Sequence, residues 1–394
     1  MEEQERAKTL RYEFVTRYRR EPELWIRAPG QLDLMGSYTD LHQGYALTVP
    51  IQLDAWMTVG RRRDASVDIR SLNVIGSSRF ALRRITRDAE HPWSDYARGV
   101  AAVLWAEGYR LPGMNCVIDT RLPMGGGLGS SAAMETAVAR ALQVLGRLQI
   151  DPIQMAILCQ RAEIEFVGAD CSIAEPFTAL LGQAGCALCI DCRDLSSRQA
   201  PIPRDISVVL CDTRSQQQMP QALHRAIEAD CQAGVSLITQ RFPDIRSLRD
   251  VTQDQLRAVA AELSPAAVRR CRFVVEENGR ALALAEALAG GDRSAIRQAM
   301  LASYSGAHDD LGITTDEMEQ MMYAVLSSPG VIGARHTGRG FGGCVVALVD
   351  ADEADLFVTD VARRYWSLTH IRAKITQVQV VDGAGLIEQQ SVRR

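Results

Sequence analysis

The stretch Leu122-Pro-Met-Gly-Gly-Gly-Leu-Gly-Ser-Ser-Ala-Ala-Met-Glu135 runs a cluster of glycines straight into a segment of helical composition. Gly125, Gly126, Gly127 and Gly129 allow the backbone to turn tightly and to lie against a ligand with no Cβ in the way. Ser130 and Ser131 open a run from Ala132 to Leu145 that is rich in Ala, Leu and Val, and Met114 to Ile118 ahead of the loop reads as a strand. A helix starting there offers unpaired N–H groups and the positive end of its dipole, which together suit a phosphate. The turn between strand and helix is therefore the candidate anion site.

Two common phosphate motifs do not fit. A P-loop ends in Gly-Lys-Ser/Thr, and this loop has no lysine. A dinucleotide fingerprint follows the first strand of a βαβ unit and is answered by an acid about 20 residues on. Here the loop lies deep in the chain, and the residues after it read as helix.

With 394 residues and 47% apolar content, the chain can build one large or two medium domains with real cores. The net charge is −4 and the basic residues are scattered, which argues against nucleic acid or an anionic membrane as partner. The polar, acidic start Met1-Glu-Glu-Gln-Glu-Arg is unlike a signal peptide. No apolar run approaches the ~20 residues of a membrane span. The expectation is a soluble, cytoplasmic protein. Cys116, Cys159, Cys211 and Cys344 each lie singly in apolar stretches and read as core thiols. Cys186, Cys189 and Cys192 share a spacing that could suit zinc, but Ala187 to Asp191 reads as a strand, which would send Cys186 and Cys189 to opposite faces.

Strands and helices are mixed along the chain. Leu24 to Ala28, Gly44 to Ile51 and Ala55 to Val59 read as paired strands; Trp93 to Gly108 and Pro152 to Val167 read as helices. Arg198 to Asp205 is polar with two prolines and is the candidate boundary. Beyond it come a strand at Ile206 to Asp212, helices over 217–240 and 263–290, and a strand pair, Gly330 to Arg335 and Cys344 to Val349, around a further glycine run. This is an α+β pattern in two domains, 1–200 and 201–394.

The order Pro123-x-Gly-x-Gly-Leu-Gly-Ser-Ser-Ala132 resembles the ATP-binding loop of the GHMP kinases. Arg27 to Thr48 and His336 to Ala347 resemble the two outer motifs of that superfamily, most closely those of galactokinases. Pro92-Trp-Ser-Asp-Tyr-Ala-Arg-Gly-Val100, Leu158 to Gly168, Asp191-Cys-Arg193 and Glu277-Asn-Gly-Arg280 resemble further galactokinase blocks. The resemblance implies an N-terminal α/β lobe like ribosomal protein S5 and a ferredoxin-like C-terminal lobe. It implies ATP bound by Trp93 at the adenine and by Gly125, Gly126, Gly127, Leu128, Gly129, Ser130 and Ser131 at the phosphates. Mg2+ would be held by Ser131 and Glu163, an oxygen set that suits a hard cation.

The sugar side departs from the family pattern. Gln31 and Glu175 stand where galactokinases carry their catalytic arginine and aspartate, and Ser172 replaces the glycine beside the acid. Ser37 and Tyr38 stand in place of a glutamate and a histidine, the glutamate being the one that binds the outer hydroxymethyl group of galactose. Asp40, which in the family holds ring hydroxyls, is retained, and His224 falls where a sugar-contacting tyrosine would be. Gly340 and Gly342 belong to the third motif, near phosphates and sugar. Three readings follow: an ATP-dependent kinase for a sugar or sugar-like alcohol other than galactose, acting at the anomeric hydroxyl; an L-arabinokinase-type enzyme, favoured by Arg27-Ala-Pro-Gly-x-Leu-Asp-x-Met-Gly36; or an ATP- or sugar-binding regulator without catalysis. The expected assembly is a monomer or weak homodimer.

Overall fold

In the computed structural model the described residues are 2–123, 127–215, 217, 219–338, 340 and 343–387. They form two compact units: residues 1–31, 50–184 and 381–394, and residues 32–49 and 185–380. The division falls inside two long strands, β1 (Leu24–Met35) and β2 (Tyr45–Arg61).

In the first unit, β3 (Ser66–Ser71), β4 (Ser77–Ala81), β5 (Met114–Thr120) and β12 (Gly385–Leu386) join β1 and β2 in the order β12-β1-β2-β5-β3-β4. β5 runs antiparallel to β2 and parallel to β3. Its Met114–Ile118 portion is buried throughout, which explains why it reads as a continuous apolar run rather than an alternation. Helix α1 (Glu2–Tyr18) is tied to the sheet by Arg6, which donates to Asp54 and Asp119. The remaining helices are α2 (Asp95–Ala106), α3 (Ser130–Gly146), α4 (Pro152–Arg161) and α5 (Ala174–Leu181). α4 has the start its sequence announces: Asp151 accepts from the N–H groups of Ile153 and Gln154, and Pro152 takes the first helical position.

The helix predicted over Pro152 to Val167 does not run straight through. At Ala162–Val167 it widens into a π-turn, closed by Gly168 at φ 80°, whose N–H donates to Glu163 O at 2.9 Å. Such turns are rare and cluster at functional sites.

The second unit holds a hairpin of β6 (Cys186–Asp191) and β7 (Ser197–Pro201), with β6 paired to Tyr45–Thr48. The polar stretch taken as a boundary thus begins as a strand. Only Ala200 of β7 is fully buried, so this one-sided edge strand looks like a linker in sequence. A second sheet orders β11 (Lys374–Val378), β8 (Ile206–Asp212), β10 (Cys344–Asp350) and β9 (Val331–His336), all antiparallel. α10 (Asp316–Leu326) and α11 (Ala354–Thr369) pack on it through Met321, Val325, Phe357 and Tyr365. A separate core of Ile227, Ile238, Leu256, Phe273 and Leu311 joins α6 (Gln221–Arg241), α7 (Gln253–Val259) and α8 (Pro265–Gly290), while α9 (Arg293–Gly306) packs against α8 and β9. No helix among the described residues is long and apolar enough to cross a membrane.

Candidate active site

In the first unit, a cavity of about 200 Å3 is lined by Trp93, Tyr96, Ser130, Ser131, Met134 and Asn73 among others. The adenine-contacting tryptophan and the two loop serines expected from sequence are thus brought to one cavity. Trp93 sits in a single turn opened by Pro92, and its buried Nε1 has no partner among the described residues. α3 starts directly from Gly129, held at φ 66° in the left-handed region that favours glycine. Gly125 and Gly126 lie outside the described residues.

The glycine at 129 is also required by space. A Cβ there would meet Gln31 Cγ at 2.9 Å and Glu175 Oε2 at 3.8 Å. The two residues standing for the family's catalytic pair therefore flank the same point of the loop. Gln31 N–H donates to Leu128 O at 3.0 Å, which ties β1 to the loop. Its side chain is buried, with Oε1 lacking a hydrogen bond among the described residues. Glu175 lies in the first turn of α5.

One acid here was missed from sequence. Glu135, one turn beyond Ser131 on α3, is wholly buried, and neither carboxyl oxygen has a hydrogen bond among the described residues. Burial first, then the charges of Glu163 and Glu175, push its pKa well above the usual carboxylate range. The signal available was a lone acid among Ala, Met, Thr and Val. Ser131 and Glu163 supply a hydroxyl and a carboxyl group, an oxygen set that suits a divalent cation. Among the described residues no three acids, histidines or cysteines are grouped to hold a metal by themselves. The fit is therefore to a cation held jointly by protein oxygens and phosphate, as Mg2+ commonly is.

In the second unit, the chain leaves β1 through Gly36 at φ 102°, whose N–H donates to Glu277 Oε1 at 3.1 Å. Ser37 Oγ accepts from Arg335 Nη2 at 2.8 Å, lies 3.1 Å from His336 Nε2 and donates to Gly338 O at 3.3 Å. Arg335 Nε donates to Ser303, which donates to Glu277. Arg335 and His336 are wholly buried, which lowers both pKa values, His336 well below the usual imidazole range. Neither was singled out from sequence, because a basic pair at a strand end reads as a solvated edge.

Tyr38 holds φ 65°, strained for a residue with a side chain. Its hydroxyl lies 3.4 Å from His224 Nδ1 and their rings are 5.7 Å apart, so these two sequence candidates meet. His224 Nε2 lies 3.1 Å from Glu228. Asp40 opens a short turn at the mouth of β2 and is half-buried. Gly340, at φ 88°, would carry a Cβ 2.5 Å from Ile313 O; Gly342 lies outside the described residues. The Glu277-Asn278 block buttresses this loop, since Asn278 Oδ1 also accepts from Tyr45 N–H at 3.0 Å.

The signature of the GHMP kinases N terminal domain matches residues 95–183, that of the GHMP kinases C terminal matches 284–367, and the galactokinase galactose-binding signature matches 12–61. The galactokinase of Roseiflexus sp. (strain RS-1) is 36% identical over 378 residues, covering 96% of each chain. The chain belongs to the galactokinase family. The galactokinase of Chloroflexus aurantiacus is 37% identical, over 91% of this chain and 92% of that protein. The crystal structure of Lactococcus lactis galactokinase complexed with galactose superposes with a TM-score of 0.91 at 25% identity, over 96% of this chain and 99% of that one. A mevalonate kinase structure, at 16% identity and a TM-score of 0.63, shares the fold. This family member is accordingly a sugar kinase with the two-domain GHMP fold, and the galactose-binding signature spans the segment that holds Gln31, Ser37 and Tyr38.

Proposed function

We propose that the protein transfers the γ-phosphoryl group of Mg·ATP to the anomeric hydroxyl of a sugar other than galactose. The observation that carries the donor half is the cavity shared by Trp93, Ser130 and Ser131. In this reading Gly125 to Ser131 cradle the phosphates, and Ser131 and Glu163 hold Mg2+, whose charge, when bound, offsets that of the phosphates. Phosphoryl transfer has a loose transition state, so positioning and electrostatics dominate its catalysis. A general base contributes about 10²–10⁴-fold. Exchange of the family's arginine and aspartate for Gln31 and Glu175 therefore slows the step without ending it. Glu175 keeps a carboxylate to accept the acceptor's proton, and Gln31 orients groups beside it.

For the acceptor half, Asp40 holds ring hydroxyls, while Tyr38, His224, Gly340 and Gly342 complete the sugar contacts. Ser37 is too short to span the reach of the glutamate it replaces, and its hydroxyl is already engaged by Arg335 and His336. A site that loses a partner for a substrate hydroxyl loses much of its preference for that substrate. L-Arabinose, which lacks galactose's outer carbon, needs no such glutamate, so an arabinokinase activity is the second reading. Coupled measurement of ATP consumption against free hexoses, pentoses and uronic acids tests all of this. Galactose phosphorylated as well as the best sugar overturns the specificity; silence across the panel leaves the regulator.

A further inference from the structure

Around Ser37 the second unit holds more hydrogen-bond donors than acceptors. Arg335 can only donate, so His336 Nε2, 3.1 Å from its Nη2, is the acceptor of that contact, and the imidazole proton sits on Nδ1. That Nδ1 and Arg335 Nη1 are both buried with no partner among the described residues. The guanidinium's carboxylate contact is long, 3.4 Å to Glu277 Oε1. Glu277 is shared: it also accepts from Gly36 N–H, Ser303 and Arg280. Asp33 attracts Arg335 through space, and Arg280 repels it. A buried cation so thinly paired is costly, and an anion that reaches it recovers that cost.

Ser37 is the one member of the trio that retains some exposure, at 6%. Its oxygen accepts from Arg335, and its one proton is shared between His336 Nε2 at 3.1 Å and Gly338 O at 3.3 Å. A ligand carboxylate would draw that proton away from these two longer contacts, while Arg335 polarises the hydroxyl from behind.

We propose that the acceptor sugar carries a carboxylate on its outer carbon, and that the Arg335–Ser37 hydrogen bond, backed by His336, receives it. This rests on the kinase reading above and names its substrate class, a hexuronate. A neutral hydroxymethyl group could also accept from Ser37, but it would leave the guanidinium uncompensated. Charge-assisted hydrogen bonds are the stronger kind, and a low-dielectric setting magnifies the difference. Ser37 lies within the segment matching the galactose-binding signature.

The test uses the full chain with Mg·ATP and two probes that differ at the outer carbon, D-galacturonate and D-galactose, followed by turnover and by calorimetry. Galacturonate should exceed galactose in kcat/KM by at least about tenfold. Ser37→Glu places a carboxylate where the ligand's would sit. It should cut galacturonate affinity by about 100-fold or more, raise galactose affinity by restoring a partner for the outer hydroxymethyl group, and leave Mg·ATP binding within a few-fold. Arg335→Lys, which keeps the charge, should retain part of the preference. Galactose turned over better than galacturonate, or Ser37→Glu weakening both alike, overturns the carboxylate assignment and leaves the kinase reading standing. Galacturonate bound without ATP consumption does the reverse. If neither sugar binds, the carboxylate assignment falls, and the wider sugar panel decides the kinase reading.

Discussion

The glycine-loop region and the Ser37 region solve opposite problems. Around α3 the buried groups are rich in oxygen: Gln31 Oε1 lacks a partner among the described residues, and Glu135 lies in electrostatic reach of Glu163 and Glu175. Around Ser37, the surplus is of donors, on Arg335 and His336. Buried polar groups in folded proteins are nearly always paired, so an unmet set marks the chemistry of what completes it. An acceptor-rich pocket calls for a cation, and a donor-rich one for an oxygen anion. In the proposed reading the first region serves the nucleotide and the second the acceptor.

The largest expected effect strikes the acceptor-rich region. Replacing Ser131 by Phe should fill the cavity mouth and remove Mg·ATP binding by calorimetry, a loss beyond about 100-fold, or ~2.7 kcal/mol. Unchanged affinity would end the loop assignment. Next, Glu175→Gln should keep nucleotide affinity yet lower kcat by about 10²–10⁴-fold, as a lost base does. An unaltered kcat would remove Glu175 from the chemistry.

On the donor-rich side, Arg335→Met leaves Ser37, Ser303 and Glu277 without their shared donor. Breaking a buried pair from one side typically costs about 3–5 kcal/mol, and denaturant unfolding should show a loss near the lower end because the Glu277 contact is long. The smallest effect is in pH. His336 and His42 are buried neutral, with folded pKa values below the unfolded value of 6.5, that of His42 at about 4. The unfolded chain therefore binds protons first as pH falls. Stability is full above that value and declines below it, by up to about 1.4 kcal/mol per pH unit for each histidine. Unfolding measured at successive pH values should show this slope, and His336→Asn should remove its share.

Much of the scaffold was legible in the chain. The strand Met114–Thr120 and the helix Ser130–Gly146, the β9–β10 pair and the long helices α6 and α8 lie close to where composition and periodicity put them. These elements bury one face or both, and burial is what patterning records. The first unit and the predicted N-terminal domain differ because compactness follows strand pairing: β12, at the end of the chain, pairs with β1 through Ile26 and Arg27. No local signal announces a partner more than 350 residues away.

The sequence by itself determined the family, and it named the candidate phosphate loop, the candidate pair Gln31 and Glu175 and an expected change on the sugar side, because motifs are short and local. Only the tertiary structure decided that Gln31 and Glu175 flank Gly129, that Tyr38 meets His224, and that Glu135 is a buried acid. It alone revealed that Ser37 is backed by Arg335 and His336, from a strand almost 300 residues on. Hydrogen-bond demand is a property of three-dimensional neighbours. A residue type states which donors and acceptors it carries, but only packing decides which of them remain for a ligand.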